Sequence, residues 1–225
     1  MAFPNIHPSM LRTLTARNYT EPTPVQQAVL RPDAADRDLL VSAQTGSGKT
    51  VAYGLALGSM LLGDGERMAP AQAPLALIVA PTRELALQVQ RELDWLFAGT
   101  GARVISSVGG MDIRREQRNL AQGAHVVVGT PGRLADHLDQ GHLDLSRIQS
   151  VVLDEADEML DLGFREELEA LLNATPSERR TLLFSATLPK SILGLARRYQ
   201  REWNQAQRCS SRSQHRLEVR GQRRT

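Results

Sequence analysis

The sequence predicts an α/β domain in which a mostly parallel β-sheet carries helices on both faces. Six short apolar runs are predicted strands: 39–42, 75–80, 104–108, 125–128, 151–154 and 181–185. Several of them are continuously apolar, which is typical of strands buried on both faces of a parallel sheet. Helical patterns alternate with these runs. This alternation predicts a doubly wound sheet whose ligand lies at the carboxyl ends of the strands.

Three of the intervening segments have apolar residues at helical spacing, namely Leu85, Val89, Leu93, Leu96 and Phe97, then Leu134 and Leu138, then Phe164, Leu168, Leu171 and Leu172. The first segment begins after Pro81-Thr82 and the second after Thr130-Pro131, where proline suits the first helical turn. Gly141 is expected to follow the end of the second helix, and the third is expected to end before Pro176.

The composition bounds the class of protein. A chain of 225 residues with 41% hydrophobic and 23% charged residues suits one α/β domain with a sizeable core. Its apolar runs are far shorter than the roughly 20 residues of a membrane helix, and the N-terminus does not resemble a secretion signal. A single cysteine, Cys209, excludes an internal disulfide. We therefore expect a cytoplasmic protein with no membrane partner.

The net charge of +2 conceals an uneven distribution. Residues 197–225 hold nine arginines and two glutamates, so this end carries +7 and the preceding residues carry −5. Such an end indicates either nucleic-acid binding or a solvated tail. Because 205–225 lack an apolar period, we expect 201–225 to be an Arg-rich tail that is disordered or an engineered terminus, with no role in the fold.

The glycine-rich segment 43–50 lies between a predicted strand and a predicted helix. Glycines let backbone N–H groups converge on phosphates, and the helix dipole favours negative charge there. Lys49 would reach the β- and γ-phosphates, and the Thr50 hydroxyl would hold Mg²⁺. The alternative, a glycine-rich turn with a chance Lys-Thr pair, is much weaker in this context. We predict a nucleoside triphosphate site that uses Thr45, Gly46, Ser47, Gly48, Lys49 and Thr50.

Acidic residues follow the buried run 151–153. A carboxylate at the end of a strand, combined with a phosphate loop elsewhere, is the second half of a nucleotide-hydrolysing site. Asp154 would hold Mg²⁺ directly or through water, and Glu155 would position the attacking water. Acidic residues also favour the first turn of a helix, so a plain helix start is the alternative. Lys49, Asp154 and Glu155 are the predicted catalytic residues.

The motifs of this chain, taken together, resemble those of the N-terminal RecA-like half of DEAD-box ATP-dependent RNA helicases. The resemblance runs from about residue 3 to 199. In the family's order, the matching segments are the Q motif at 18–26, motif I at 43–50, motif Ia at 81–86, two RNA-contacting motifs at 109–110 and 130–133, the Asp-Glu-Ala-Asp sequence at 154–157 and motif III at 185–187. Two details depart from the family pattern: Asn18 replaces a usual glycine, and Phe3 lies closer than the usual upstream aromatic residue.

The resemblance assigns further residues. The amide of Gln26 would recognise the adenine edge, and Tyr19 would lie near the base. Ser185 and Thr187 would bond Asp157 and couple hydrolysis to RNA grip. The residues expected at RNA phosphates are Pro81, Thr82, Arg83, Gly109, Gly110, Thr130, Pro131, Gly132 and Arg133. Taken singly, Thr82 and Thr130 are equally well explained as ordinary helix caps.

The resemblance implies a RecA-like P-loop domain at 29–200, preceded by an N-terminal helix and the Q motif at 1–28. It implies the ATP-binding half of an RNA helicase, with ATP and Mg²⁺ as cofactors. Its partners would be RNA and a second RecA-like domain that this sequence lacks. Two alternatives remain open: a nucleotide- and RNA-binding fragment with little turnover, and a DNA-directed helicase or translocase. The oligomeric state is not predicted.

Overall fold

A computed structural model describes Phe3, residues 6–201 and the backbone of residues 204–209. Its centre is a seven-stranded sheet in the order β3-β4-β2-β5-β6-β1-β7, in which all neighbouring strands are parallel. The strands are β1 Leu39–Ala43, β2 Ala76–Val79, β3 Val104–Ser107, β4 Val126–Gly129, β5 Ser150–Leu153, β6 Arg180–Ser185 and β7 Asn204–Cys209.

Nine α-helices lie in the described part of the chain, together with a short 3-10 helix at Pro32–Ala34. They are α1 Pro8–Ala16, α2 Pro24–Val29, α3 Lys49–Leu62, α4 Arg83–Leu96, α5 Ile113–Ala121, α6 Pro131–Asp139, α7 Ala156–Asp161, α8 Arg165–Asn173 and α9 Lys190–Tyr199. The three helices predicted from apolar spacing are α4, α6 and α8.

The sheet separates two hydrophobic cores, because successive strand residues point to opposite faces. In β2, Ile78 joins a core formed with α1 to α4, whereas Leu77 joins a core formed with α5 to α9. The predicted α/β fold, with helices on both faces of a parallel sheet, is therefore confirmed. All six predicted strands are present, with no end shifted by more than one residue.

Helices α3 and α4 approach each other closely on one face of the sheet. A Cβ atom built on Gly54 of α3 would lie 2.7 Å from Leu96 and 2.8 Å from Leu93, both on α4. One turn further, a Cβ on Gly58 would lie 2.8 Å from Phe97, which caps α4. Gly58 is also covered by Met10 of α1, so glycine at the two positions allows α3 to pack closely against both α1 and α4.

The expectation for the tail needs correction at its first residues. The backbone of Asn204–Cys209 forms β7 and pairs in parallel with β1, with a shift of register between Val41 and Ala43. The sequence gives no sign of this strand because edge pairing uses backbone groups and needs no apolar alternation. Residues 210–225 lie outside the described part. In the part that is described, no helix is both long and apolar enough to cross a membrane.

Candidate active site

The segment 43–50 forms a loop between β1 and α3, at the carboxyl end of the sheet. Gly46 and Gly48 adopt φ values of 80° and 86°, in the left-handed region that favours glycine. Gly48 is also closely covered, since a Cβ atom there would lie 2.7 Å from Nε2 of Gln26. The loop therefore has the strand, the turn and the helix start that the sequence predicts for a phosphate site.

Two acidic side chains meet Lys49 at this edge. The Lys49 Nζ atom lies 3.5 Å from Oδ1 of Asp154 and 3.3 Å from Oε1 of Glu155. The Thr45 hydroxyl donates to the same Glu155 oxygen at 2.7 Å. The strand order explains the meeting, because only β6 separates β1 from β5. The three predicted catalytic residues are thus brought together.

Asp154 follows β5 and is 1% exposed. Burial raises the pKa of its carboxyl above the ordinary value, although the Lys49 charge opposes this shift. The Tyr53 hydroxyl donates to Oδ2 at 3.0 Å. The other oxygen, Oδ1, has no hydrogen-bond partner among the described residues, and its approach to Lys49 is ionic only. One oxygen of this buried carboxylate is therefore free to bind a ligand.

Glu155 begins α7 in an unusual backbone conformation, with φ 54° and ψ 52°. A residue other than glycine in the left-handed region costs about 1–3 kcal/mol, and such residues cluster at functional sites. Burial tends to raise the pKa of this carboxyl. Hydrogen bonds involving Thr45 and Glu158, together with the Lys49 charge, lower the pKa below its usual value overall. Glu155 is therefore ionised at neutral pH and faces the phosphate loop.

Gln26 is attached to the phosphate loop and is 1% exposed. Its Nε2 donates to the Gly48 carbonyl at 3.3 Å, and its Oε1 accepts the Thr23 N–H at 3.0 Å, which completes a capping box at α2. The Thr23 hydroxyl donates to the Ser47 carbonyl at 2.9 Å. These bonds leave one amide N–H of Gln26 for another acceptor. Sequence reasoning missed Thr23, although its place three residues before Gln26 is a capping-box signal.

Tyr19 lies at the surface beside Trp95 of α4, with ring centroids 5.5 Å apart, and the Arg17 guanidinium lies 4.3 Å from the centroid of the Trp95 ring. Its neighbour Asn18 adopts φ 59°. Asparagine tolerates this left-handed conformation better than most residues, so it can replace the usual glycine here.

Asp157 links α7 to the segment after β6. Thr187 donates to Oδ2 of Asp157 twice, from its backbone N–H at 2.8 Å and from its hydroxyl at 2.7 Å. The Ser185 hydroxyl instead donates to the Thr187 carbonyl at 2.6 Å. Of the two hydroxyls expected to bond Asp157, the Thr187 hydroxyl therefore does so directly, and Ser185 holds the turn that carries it.

The residues expected at RNA phosphates lie at the same carboxyl edge of the sheet, after β2, β3 and β4. Thr82 caps α4 by accepting the Leu85 N–H at 3.3 Å, and Thr130 begins α6. Arg83 approaches the glycine turn, since a Cβ atom on Gly110 would lie 2.9 Å from its Nη1. Pro81, Gly109, Pro131 and Gly132 complete this group.

Arg133, in the first turn of α6, pairs through Nη1 with Oε2 of Glu116 at 3.0 Å, and His137 contacts the same oxygen at 2.8 Å. Oε1 of Glu116 accepts the Val108 N–H at 3.0 Å. We call Glu116, Arg133 and His137 the Glu116 cluster. It offsets charge on Arg133 and ties the turn after β3 to α6. The RNA contact of Arg133 stays a prediction.

No group of three or more His, Cys, Asp or Glu side chains in the described part of the chain is arranged to hold a metal ion.

Comparisons with known proteins agree with this geometry. The family model described as DEAD/DEAH box helicase matches residues 23–194. The chain is 43% identical over 193 residues to "DEAD-box ATP-dependent RNA helicase CshA" of Geobacillus kaustophilus, covering 86% of this chain and 40% of that protein. It is 43% identical over 190 residues to "ATP-dependent RNA helicase DbpA" of Bacillus subtilis, covering 84% of this chain and 38% of that protein.

A solved structure is also similar. The crystal structure of a DEAD box protein from the hyperthermophile Methanococcus jannaschii superposes with a TM-score of 0.80 at 34% identity. The match covers 88% of this chain and 53% of that one. The chain thus spans about 40% of the length of the two curated relatives named above.

Proposed function

The chain belongs to the DEAD/DEAH box helicase family, and from this premise we propose that it is the ATP-binding half of an ATP-dependent RNA helicase. The observation that carries this proposal is the convergence of Lys49, Asp154 and Glu155 at one edge of the sheet, where Nζ of Lys49 lies 3.5 Å from Asp154 and 3.3 Å from Glu155. An ammonium group between two carboxylates, beside a glycine loop, suits a phosphate chain with its cation.

Mg²⁺ fits the residues at this edge. It prefers oxygen ligands and is usually held by one or two carboxylates together with substrate phosphates and waters. The unpartnered Oδ1 of Asp154 and the hydroxyl of Thr50 are suitable oxygen ligands. When bound, Mg²⁺ would neutralise charge on the phosphates.

The chain's own residues would perform the remaining steps. Lys49 binds the β- and γ-phosphates and exchanges its carboxylate contacts for phosphate oxygens. Glu155, ionised and released from Lys49, accepts a hydrogen bond from the attacking water and orients it. Gln26 offers its remaining amide N–H to the adenine ring, which favours ATP over GTP. Tyr19 lies next to the base.

RNA would be held mainly through its phosphates. The N–H groups that begin α4 and α6 face the same edge, and such groups suit phosphate oxygens. Arg83 adds a positive charge beside the Gly109-Gly110 turn. Arg133 supports the site through the Glu116 cluster, which fixes that turn and the start of α6. Asp157, with Thr187 and Ser185, couples ATP hydrolysis to RNA binding.

A second RecA-like domain would complete the enzyme. In related phosphoryl-transfer sites, an arginine supplied across a cleft is worth about 10³–10⁵ in turnover. We therefore propose that this chain, by itself, binds ATP and RNA with little turnover, and that the full cytoplasmic helicase unwinds RNA locally when ATP closes two domains.

The proposal is tested by titrating ATP and GTP into the purified chain with Mg²⁺ in a calorimeter. We expect ATP to bind more tightly, and Lys49→Ala to weaken ATP binding by about 10–100-fold, because a charged hydrogen bond is worth about 1.5–3 kcal/mol. Lys190→Ala removes the chain's other lysine, on α9, and is the matched control. Equal affinities in Lys49→Ala and the control would refute the phosphate-loop assignment.

Turnover is tested separately, by ATP hydrolysis with and without single-stranded RNA. A rate of ATP hydrolysis that RNA does not change supports an incomplete active site that needs a second domain. Stimulation by RNA would mean that this chain completes the site itself, and stronger stimulation by single-stranded DNA would favour a DNA-directed translocase.

A further inference from the structure

Tyr53 lies beside Asp154 at the proposed nucleotide site, yet none of the roles above uses it. It follows Lys49 by four residues on α3, so both side chains lie on the same face of that helix. Tyr53 is fully buried, and its ring packs edge-on against Phe184 of β6 at a centroid distance of 5.3 Å. The question is what its hydroxyl contributes.

The hydroxyl acts on the orientation of Asp154. It donates to Oδ2 at 3.0 Å, while Oδ1 lies 3.5 Å from the Lys49 ammonium. A carboxylate is planar, so a bond that holds one oxygen also sets the direction of the other. With Oδ2 held by Tyr53, Oδ1 is turned toward the phosphate loop and retains its capacity to bind a ligand.

Packing alone does not require this hydroxyl. A phenylalanine would fill the same space against Phe184, and burying a hydroxyl beside a buried carboxylate costs free energy unless the two are bonded. An ionised carboxylate has no proton to give, so in this pair the Tyr53 hydroxyl is the donor and Asp154 the acceptor.

We propose that Tyr53 is a positioning residue for the magnesium-binding carboxylate, whose hydroxyl fixes Asp154 with Oδ1 directed at the cation that accompanies ATP. This inference rests on the nucleotide-binding function proposed above. Residues that orient a metal ligand through a hydrogen bond typically change metal affinity by about 10–100-fold when they are removed.

The test is a Tyr53→Phe variant of the whole chain, titrated with Mg²⁺ in the presence of a non-hydrolysable ATP analogue. Calorimetry gives the affinity for the analogue at each Mg²⁺ concentration and in excess EDTA. We expect Tyr53→Phe to bind the analogue as tightly as the wild type in EDTA. The Mg²⁺ concentration that gives half of the Mg²⁺-dependent gain in affinity should rise by about 10–100-fold.

Tyr199→Phe is the matched control. Tyr199 ends α9, and its buried hydroxyl has no hydrogen-bond partner among the described residues. The control therefore removes a tyrosine hydroxyl without disturbing Asp154, and its Mg²⁺ dependence should equal that of the wild type. Thermal unfolding of both variants checks that each is folded.

A double variant separates positioning from a direct effect on the nucleotide. If Tyr53 acts through Asp154, removing its hydroxyl should have no further effect once Asp154 is replaced. The analogue affinity of the double variant Tyr53→Phe, Asp154→Asn should then depend on Mg²⁺ as that of Asp154→Asn alone does, because the effects of two residues in one pathway do not add. Additive losses would overturn the proposal.

Two other outcomes would also overturn it. Wild-type Mg²⁺ dependence in Tyr53→Phe, with normal binding by the wild type, would refute the positioning role and leave the proposed function intact. An equal loss of affinity with and without Mg²⁺ would show that the hydroxyl supports the loop rather than the carboxylate. If the wild-type chain itself bound no analogue, the proposed function would be wrong and this inference would fall with it.

Discussion

Asp154 and Glu116 are both buried carboxylates beside a cation, but their oxygens are used differently. Glu116 is saturated, because one oxygen accepts the Val108 N–H and the other contacts both Arg133 and His137. Asp154 has one oxygen held by Tyr53 and one without a hydrogen bond. The comparison teaches that unused hydrogen-bonding capacity, rather than burial or charge, separates the proposed ligand site from a structural ion pair.

The pKa values of the two carboxyl groups are shifted in opposite directions. Burial raises both, and for Asp154 it prevails over Lys49, so the pKa is raised. For Glu116, the bonds from His137 and Val108 and the charge of Arg133 outweigh burial, so the pKa is lowered. Ionisation of Glu116 therefore stabilises the folded state, whereas ionisation of Asp154 makes the folded state less stable than the neutral carboxyl would.

The largest expected effect concerns the neighbour of Asp154. In a longer protein with a second domain, Glu155→Gln should retain ATP binding and lower turnover by about 10²–10⁴, since it removes the carboxylate proposed to orient the attacking water. Steady-state hydrolysis and ATP titration measure the two quantities. Asp161→Asn, at the end of the same helix α7, is the control. Hydrolysis at the wild-type rate would remove Glu155 from the mechanism.

The second prediction tests the comparison directly through the free energy of unfolding. Glu116→Ala should destabilise the chain by about 3–5 kcal/mol, because it leaves the largely buried Arg133 guanidinium and the buried His137 without their carboxylate. Asp154→Asn should be neutral or stabilising at pH 7, because it removes a carboxylate whose charged form is disfavoured in the folded state. Urea unfolding measures both.

Glu169→Ala is the control for these two variants. Its carboxylate pairs with Arg198 at 2.8 Å near the surface, so its loss should cost about 1 kcal/mol or less. If Asp154→Asn were destabilised as much as Glu116→Ala, the distinction between the two carboxylates would fail.

A third, smaller effect follows from the lowered pKa of Glu116. A group whose pKa is depressed in the folded state contributes stability above its ordinary pKa, here 4.5, and loses it as the pH falls through the folded value. The difference in unfolding free energy between wild type and Glu116→Gln should therefore shrink below about pH 4.5. Urea unfolding at pH 7, 5, 4 and 3 measures it, and a constant difference would show that Glu116 does not supply this contribution.

The smallest effect concerns an accessible carboxylate. Thr187→Ala removes one of two bonds that Thr187 gives Asp157, and water can replace it because Thr187 is exposed. We expect about 1 kcal/mol of destabilisation in thermal or urea unfolding. A loss as large as that of Glu116→Ala would mean that exposure does not weaken such contacts here.

The sequence predicted what depends on short-range patterns. Continuous apolar runs gave six strands, and the spacing of glycines before Lys49 gave the phosphate loop. It did not predict the partners that only the fold brings together: Tyr53 is 101 residues from Asp154, and Glu116 is 21 residues from His137. Arg133 shows the limit most clearly, because its charge is visible in the sequence but its pairing with Glu116 of α5 is not. Strand β7 was missed because edge pairing leaves no apolar pattern.

The glycine contact between α3 and α4 has a mechanical consequence. Helix α3 begins at Lys49, in the phosphate loop, and α4 begins beside Thr82, at the start of a predicted RNA contact. Two helices in close contact at Gly54 and Gly58 leave little space to slide past each other, and tightly packed interiors transmit displacement. If the loop at 43–50 binds a nucleotide and Thr82 contacts RNA, as proposed, this contact would carry a displacement of the loop along α3 to α4 and so to the proposed RNA-binding edge.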